Sequence, residues 1–123
     1  MEYQYSGSCH CQKVQFQFSG PLEMEVIRCH CSICKMKQNH HVLILDSKFK
    51  LLTSMEELSL YTFNTKQAKH YFCKTCGVQS FFYPRFNPNM IAVTIYCVQL
   101  PPNVKLTYVT QGLEQSIKET IKQ

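Results

Sequence analysis

The sequence predicts a mostly-β domain of short strands whose loops are gathered by clusters of cysteine. Three observations predict it. Apolar and polar residues alternate with a period of two in several short windows. Turn-forming residues break up these windows, and helical periodicity is scarce. Seven of the eight cysteines fall in three tight groups.

Each element follows in chain order. Cys9-His10-Cys11 comes first. On an extended strand residues i and i+2 point the same way, so Cys9 and Cys11 present two sulfurs on one face and His10 turns aside. Val14-Gln15-Phe16-Gln17-Phe18 alternates like a half-buried strand and is ended by Ser19-Gly20-Pro21. Cys29, Cys31 and Cys34 follow within six residues, with Ser32 to Lys37 forming a turn that carries Cys34. His41-Val42-Leu43-Ile44-Leu45 is a continuous apolar run of strand length, expected to be covered on both faces. Thr53-Ser54-Met55-Glu56 matches a capping box and starts one helical turn. Leu58 to Phe63 alternates again, and Asn64-Thr65 is turn material. Cys73-Lys74-Thr75-Cys76 is a tight turn, with Gly77 supplying the positive φ such turns need. Asn87-Pro88-Asn89 turns the chain into a last alternating run, Met90 to Tyr96. At the C-terminus Leu113, Ile117 and Ile121 recur every fourth residue behind Gly112, which predicts a short amphipathic helix docked on the sheet.

Bulk properties narrow the function classes. A chain of 123 residues is read as a single domain, 1–123, and 45% hydrophobic content makes it globular. No apolar run approaches the roughly 18 residues of a membrane span. Met1-Glu2-Tyr3-Gln4-Tyr5 lacks the basic and apolar regions of a secretory signal. The expectation is a reducing compartment, cytoplasmic with the nucleus not excluded, where clustered cysteines hold metal rather than pair as disulfides. The formal charge is +5, but seven metal-bound thiolates and two dications would reduce it to about +2. The basic residues are scattered and the cysteine spacings are not those of DNA-reading fingers, which argues against a nucleic-acid partner.

The spacings point to zinc. Two cysteines separated by one residue do not readily bridge each other but can share a tetrahedral ion. Cys9 and Cys11 with Cys73 and Cys76 make a closed four-cysteine site of the structural kind. Cys29, Cys31 and Cys34 offer three ligands from one short segment. That leaves a fourth position for water or substrate, and a thiol held there would be kept as thiolate. Two alternatives would make this site structural too: Cys97 as fourth ligand, or one of His30, His40 and His41. His30, between two ligands on an extended segment, should face away. If unbound, Cys97 is a small buried hydrophobe.

The motifs Gly7-Ser8-Cys9-His10-Cys11, Cys29-His30-Cys31-Ser32-Ile33-Cys34 and Phe72-Cys73-Lys74-Thr75-Cys76-Gly77, in this order, resemble the glutathione-dependent formaldehyde-activating enzyme family over roughly residues 5 to 100. The segment Phe72 to Phe82, with Pro84-Arg85, Asn87-Pro88 and Cys97, is similar to the animal branch typified by centromere protein V. The resemblance implies twisted antiparallel sheets of the Mss4-like type. It also implies two zinc ions on the ligand sets above, and carbon–sulfur lyase-like chemistry on a glutathione adduct such as S-hydroxymethylglutathione. His40 or His41 would move the proton, and Lys35, Lys37 or Arg85 would dock the glutathione carboxylates. The alternative is a zinc-stabilised binding module without turnover, holding glutathione or a protein partner. Two departures from the family pattern stand out: Gln12 where many bacterial members carry glycine, and Lys37-Gln38-Asn39-His40-His41 in place of a Ser/Gly-rich segment.

Overall fold

A computed structural model describes residues 2–63, 68–85 and 88–111. The strands in chain order are β1 (Tyr3–Ser8), β2 (Gln15–Gly20), β3 (Glu23–Cys29), β4 (His40–Leu45), β5 (Phe49–Leu51), β6 (Leu58–Tyr61), β7 (Lys69–Cys73), β8 (Phe81–Tyr83), β9 (Met90–Thr94), β10 (Val98–Gln99) and β11 (Lys105–Gln111). One helix, α1 (Ser32–Lys37), lies between β3 and β4. The expected C-terminal helix of Leu113, Ile117 and Ile121 lies outside the described residues, as does the Asn64-Thr65 turn. No helix among the described residues is long and apolar enough to cross a membrane.

The strands form two sheets. A four-stranded sheet runs β10-β1-β2-β5, and a seven-stranded sheet runs β11-β3-β4-β9-β8-β7-β6. The core between them is aromatic and aliphatic. Tyr5, Phe16 and Phe18 of the small sheet meet Val26, Val42, Ile44, Phe81, Ile91 and Val93 of the large one. The Tyr5 and Phe18 rings stack at 4.9 Å, and the Tyr5 hydroxyl donates to the Pro21 carbonyl at 2.6 Å. Each fully buried ring or branched side chain contributes about 1.5–3 kcal/mol.

Three local structures differ from the sequence expectation. All pairings are antiparallel except β11 with β3, which run parallel from Lys105↔Glu23 to Gln111↔Cys29. These strands are far apart in the chain, so no hairpin turn dictates their direction. The run His41–Leu45 is not wholly covered: Leu43 is half-buried and Leu45 exposed. The helical turn after Leu52 begins one residue later than the capping box suggests, at Met55–Glu57. Ser54 caps it by accepting from Glu56 N–H at 3.1 Å, while Thr53 Oγ1 accepts from Gln15 N–H at 3.1 Å.

Alternation gives the large sheet two distinct faces. Val42, Phe81, Val93 and Cys73 point into the core between the sheets. The outer face carries His70, Phe82, Ala92 and Leu43 on one rung, since His70 pairs Phe82, Phe82 pairs Ala92 and Ala92 pairs Leu43. His41 and Thr94 form another rung of that face. The cysteine groups divide between the two faces.

Candidate metal centres

The first centre is built from two turns of similar design. After β1 the chain reverses at Cys9: its N–H donates to Val14 O at 3.0 Å, and Gln12 N–H donates to Cys9 O at 3.2 Å. After β7 it reverses at Cys73: its N–H donates to Val78 O at 3.0 Å, and Gly77 N–H donates to Cys73 O at 2.8 Å. Each turn needs one left-handed residue, Gln12 at φ 69° and Gly77 at φ 79°. Cys9 and Cys11 therefore stand on a turn and not on the extended strand that their spacing suggests. A turn lets backbone N–H groups reach sulfur, which an edge of strand would not.

Those N–H groups are aimed at thiolates. Val14 N–H donates to Cys9 Sγ at 3.4 Å, and the N–H groups of Thr75 and Cys76 donate to Cys73 Sγ at 3.3 and 3.5 Å. Burial works to raise the Cys76 thiol, but N–H groups of Cys11 and Val78 overcome it and leave it lowered to about 6. Cys73 is lowered in the same way by the N–H groups of Cys76 and Thr75 acting against burial.

The sulfurs of Cys9, Cys11, Cys73 and Cys76 lie within 4.8 Å of one another, with Cys9–Cys11 and Cys11–Cys73 both at 3.6 Å. A tetrahedral zinc with bonds of about 2.3 Å has sulfur–sulfur edges of about 3.8 Å. Four thiols with N–H donors already in place fit such an ion.

One further residue belongs to this neighbourhood. The strand leading to Cys9 passes so close to Cys97 that a Cβ on Gly7 would sit 2.5 Å from the Cys97 carbonyl oxygen and would clash with the edge of the Phe16 ring. Cys97 itself is raised by burial, with Ser80 lowering it and the charges of Cys9 and Cys76 adding to the rise. It flanks the first centre and is not grouped with Cys29, Cys31 and Cys34.

The second centre lies where β3 becomes α1. Cys29 ends the strand, Cys31 is the extended N-cap residue at φ −65° and ψ 162°, and Cys34 is in the helix. Their sulfurs also lie within 4.8 Å of one another. Cys31 and Cys34 are buried among Phe82, Ala92, Ile33 and Leu43 on the outer face. Hydrogen bonds from the Cys29 and Cys34 thiols pull Cys31 well below the ordinary thiol range. The same contacts push Cys34 far upward, with burial adding to the rise. Three sulfurs fit a tetrahedral ion with one position left over.

The exit from α1 is braced. Gln38 takes a left-handed conformation at φ 54°, and its side chain donates to Lys35 O at 2.8 Å. Asn39 N–H donates to Cys34 O at 3.0 Å, and its side chain donates to Gln79 Oε1 at 3.2 Å. The Thr94 hydroxyl reaches the Gln79 carbonyl at 2.8 Å.

The other residues singled out from the sequence are spread around this centre. His40 is half-buried at the surface, with Nδ1 2.8 Å from the Tyr96 hydroxyl. His41 is buried with its ring edge-on to Phe82 at 5.1 Å. Burial lowers it to about 4, with the Cys31 charge opposing and His40 adding to the fall. His30 is half-buried between two cluster cysteines. No histidine is grouped with Cys29, Cys31 and Cys34 among the described residues. Lys35 and Lys37 occupy the last turn of α1, and Lys37 Nζ lies 5.4 Å from the Phe72 ring centre. Arg85 follows β8 by two residues and is half-buried.

His70 was not visible from the sequence. It is 2% exposed and stacks between Phe63 at 5.6 Å and Phe82 at 5.1 Å. The signal lay in the alternation of Lys69-His70-Tyr71-Phe72-Cys73: if Cys73 faces the core, His70 faces the opposite side.

Comparison with known proteins agrees with this architecture. A crystal structure of a Rhodobacter sphaeroides protein superposes with a TM-score of 0.70 at 29% identity, covering 83% of this chain and 99% of that one. The family model described as glutathione-dependent formaldehyde-activating enzyme matches residues 4–110, a span that holds both cysteine centres. The chain therefore belongs to the glutathione-dependent formaldehyde-activating enzyme family.

Proposed function

We propose that this protein is a zinc-dependent enzyme that makes or breaks a carbon–sulfur bond in a glutathione adduct such as S-hydroxymethylglutathione. Family membership supports a glutathione-related, formaldehyde-activating role in general terms. The observation that carries the specific reading is the three-thiol cluster. Cys29, Cys31 and Cys34 converge, and no fourth Cys, His, Asp or Glu ligand atom joins them among the described residues.

Zinc bound by these three sulfurs would offer its remaining position to a thiol and keep it ionised. The chain's own residues supply the rest. Cys31, the buried extended residue between Cys29 and Cys34, would hold the ion at the centre of the segment. Phe82, Ala92 and Ile33 wall it with apolar surface and exclude water from the sulfur. Lys35 and Lys37, in the last turn of the helix that carries Cys34, would take the glutathione carboxylates, with Arg85 as a third cation. His41 is the better placed of the two adjacent histidines for proton transfer. It is buried on the outer face and feels the Cys31 charge, whereas His40 is tied to Tyr96.

The first centre is assigned a second, structural zinc held by Cys9, Cys11, Cys73 and Cys76. Eight free thiols favour a reducing compartment, cytoplasmic or nuclear. Within the family, Phe72–Phe82 and Cys97 favour the animal branch resembling centromere protein V.

Isothermal titration of glutathione into the zinc-loaded protein tests the reading. Saturable binding is expected, and Cys31→Ala should abolish it. Absence of binding to the intact protein would overturn the proposal.

A further inference from the structure

Both ring nitrogens of His70 are buried without a hydrogen-bond partner. A neutral imidazole carries one donor and one acceptor, and each one buried unmet costs on the order of 1–3 kcal/mol. Packing alone does not require that cost, because an apolar ring would fill the slot between Phe63 and Phe82 equally well. The polar atoms therefore call for a partner that comes and goes.

The surroundings say where that partner would lie. Phe82, on which His70 stacks at an interplanar angle of 25°, packs in the same group as Cys31 and Cys34. Register puts His70 on the outer face of the sheet, together with His41. The charges of Cys31 and Lys37 both act on its ring. The two flanking rings hold the imidazole plane in place, so its nitrogens are oriented before anything binds.

We propose that His70 is a catalytic residue of the three-thiol site: a neutral imidazole that accepts the hydroxyl proton of a thiohemiacetal, R–S–CH2–OH, bound beside Cys31. This rests on the reading of the site as a thiol–carbonyl centre. The step balances without oxidant or reductant. The O–H proton passes to a ring nitrogen, the C–O bond becomes the C=O of the aldehyde, and the C–S bond breaks with its electron pair left on sulfur. In reverse, the imidazolium returns its proton to oxygen as sulfur adds to the carbonyl carbon. Burial keeps the resting ring neutral and able to accept. Negative charge developing on the substrate oxygen, with that at Cys31, raises its basicity as the proton moves.

Two measurements on the zinc-loaded full chain test this. In nitrogen-15 spectra of the imidazoles, the glutathione–formaldehyde adduct should move a His70 ring signal, and glutathione alone, which lacks the hydroxyl, should move it less. Equal movement by both, or none from the adduct while glutathione still binds, would overturn the assignment. By exchange spectroscopy between formaldehyde hydrate and the adduct, His70→Gln should lose about 100-fold of the enzymatic acceleration. Zinc content and glutathione affinity should be unchanged. A variant that keeps the full rate overturns the role of His70 and leaves the proposed function standing. A wild-type protein that neither binds glutathione nor speeds the exchange overturns both.

Discussion

The two cysteine centres use the same ligand and differ in how the chain delivers it. The first draws two pairs of sulfurs from turns 62 residues apart, Cys11 to Cys73, and lies with the core between the sheets. The second draws three sulfurs from one six-residue segment on the outer face. Ligands that are distant in sequence make a metal a fastener, because its loss reopens a long loop. Local ligands close almost no loop, so a metal there does little for the fold and is free to serve chemistry. The surroundings follow the same division. Thiols of the first centre are satisfied by backbone N–H groups, and the second is bordered by buried histidines with unmet nitrogens.

The sharpest test of this difference removes one ligand from each centre. Cys73→Ala should abolish cooperative folding, because structural zinc contributes on the order of 10 kcal/mol and a domain of this kind has only about 5–15 in total. Cys31→Ala should keep a cooperative melt at a cost of about 2 kcal/mol and retain a single bound ion. Circular dichroism melts with metal analysis measure both. Equal damage from the two substitutions would break the comparison.

Gly7→Ala probes the fastener without touching a ligand. A Cβ would press the Cys97 carbonyl and the Phe16 ring, neither of which yields easily inside a packed sheet. The expected loss is about 3 kcal/mol, a fall of roughly 10 °C in melting temperature, with zinc content unchanged.

How far these features could be read in advance varies with the range of the interaction. Cysteine spacing identifies both groups of sulfurs, alternation finds strands close to β2, β6 and β9, and a continuous apolar run finds β4. Both are local signals. The parallel pairing of β11 with β3 is not local, and no turn residue announces it. The Cys9–Cys11 turn misleads because a two-residue period fits a strand as well as a tight loop. The hydrogen bonds from Cys9 N–H to Val14 O and from Gln12 N–H to Cys9 O, with Gln12 left-handed, separate them. Cys97 joins the first centre through β10 pairing with β1, which two strand residues are too few to signal. His70 stayed hidden because β7 has bulky residues on both faces, so alternation puts it opposite Cys73 without saying that its own face is buried.

Thiolate ligands make both centres sensitive to acid, and the second adds a buried histidine to that dependence. Burial lowers His41 from 6.5 to about 4, so the unfolded chain takes up this proton first as pH falls. Its contribution is complete above pH 6.5 and drains as pH drops toward 4, amounting to about 2 kcal/mol at pH 5. Urea titrations at pH 7 and pH 5 should show this loss in the wild type and a smaller one in His41→Gln. An equal loss in both would assign the acid sensitivity to the thiols.

The smallest effect sets the two centres side by side at their one shared irregularity. Each has a glutamine in left-handed conformation, Gln12 at φ 69° and Gln38 at φ 54°. The left-handed region costs a residue with a Cβ about 1–2 kcal/mol, and glycine escapes this at an entropic cost of roughly 0.4–1 kcal/mol. Gln12 contributes only its backbone to the turn, accepting from Gln15 Nε2 through its carbonyl at 3.0 Å. Gln12→Gly should therefore stabilise the protein by about 0.5–1 kcal/mol, near 3 °C in melting temperature. Gln38 also donates its side chain to Lys35 O at 2.8 Å, capping α1. Losing that bond cancels the gain, so Gln38→Gly should leave stability unchanged. A larger gain at Gln38 than at Gln12 would mean that the cap contributes nothing to holding Cys34.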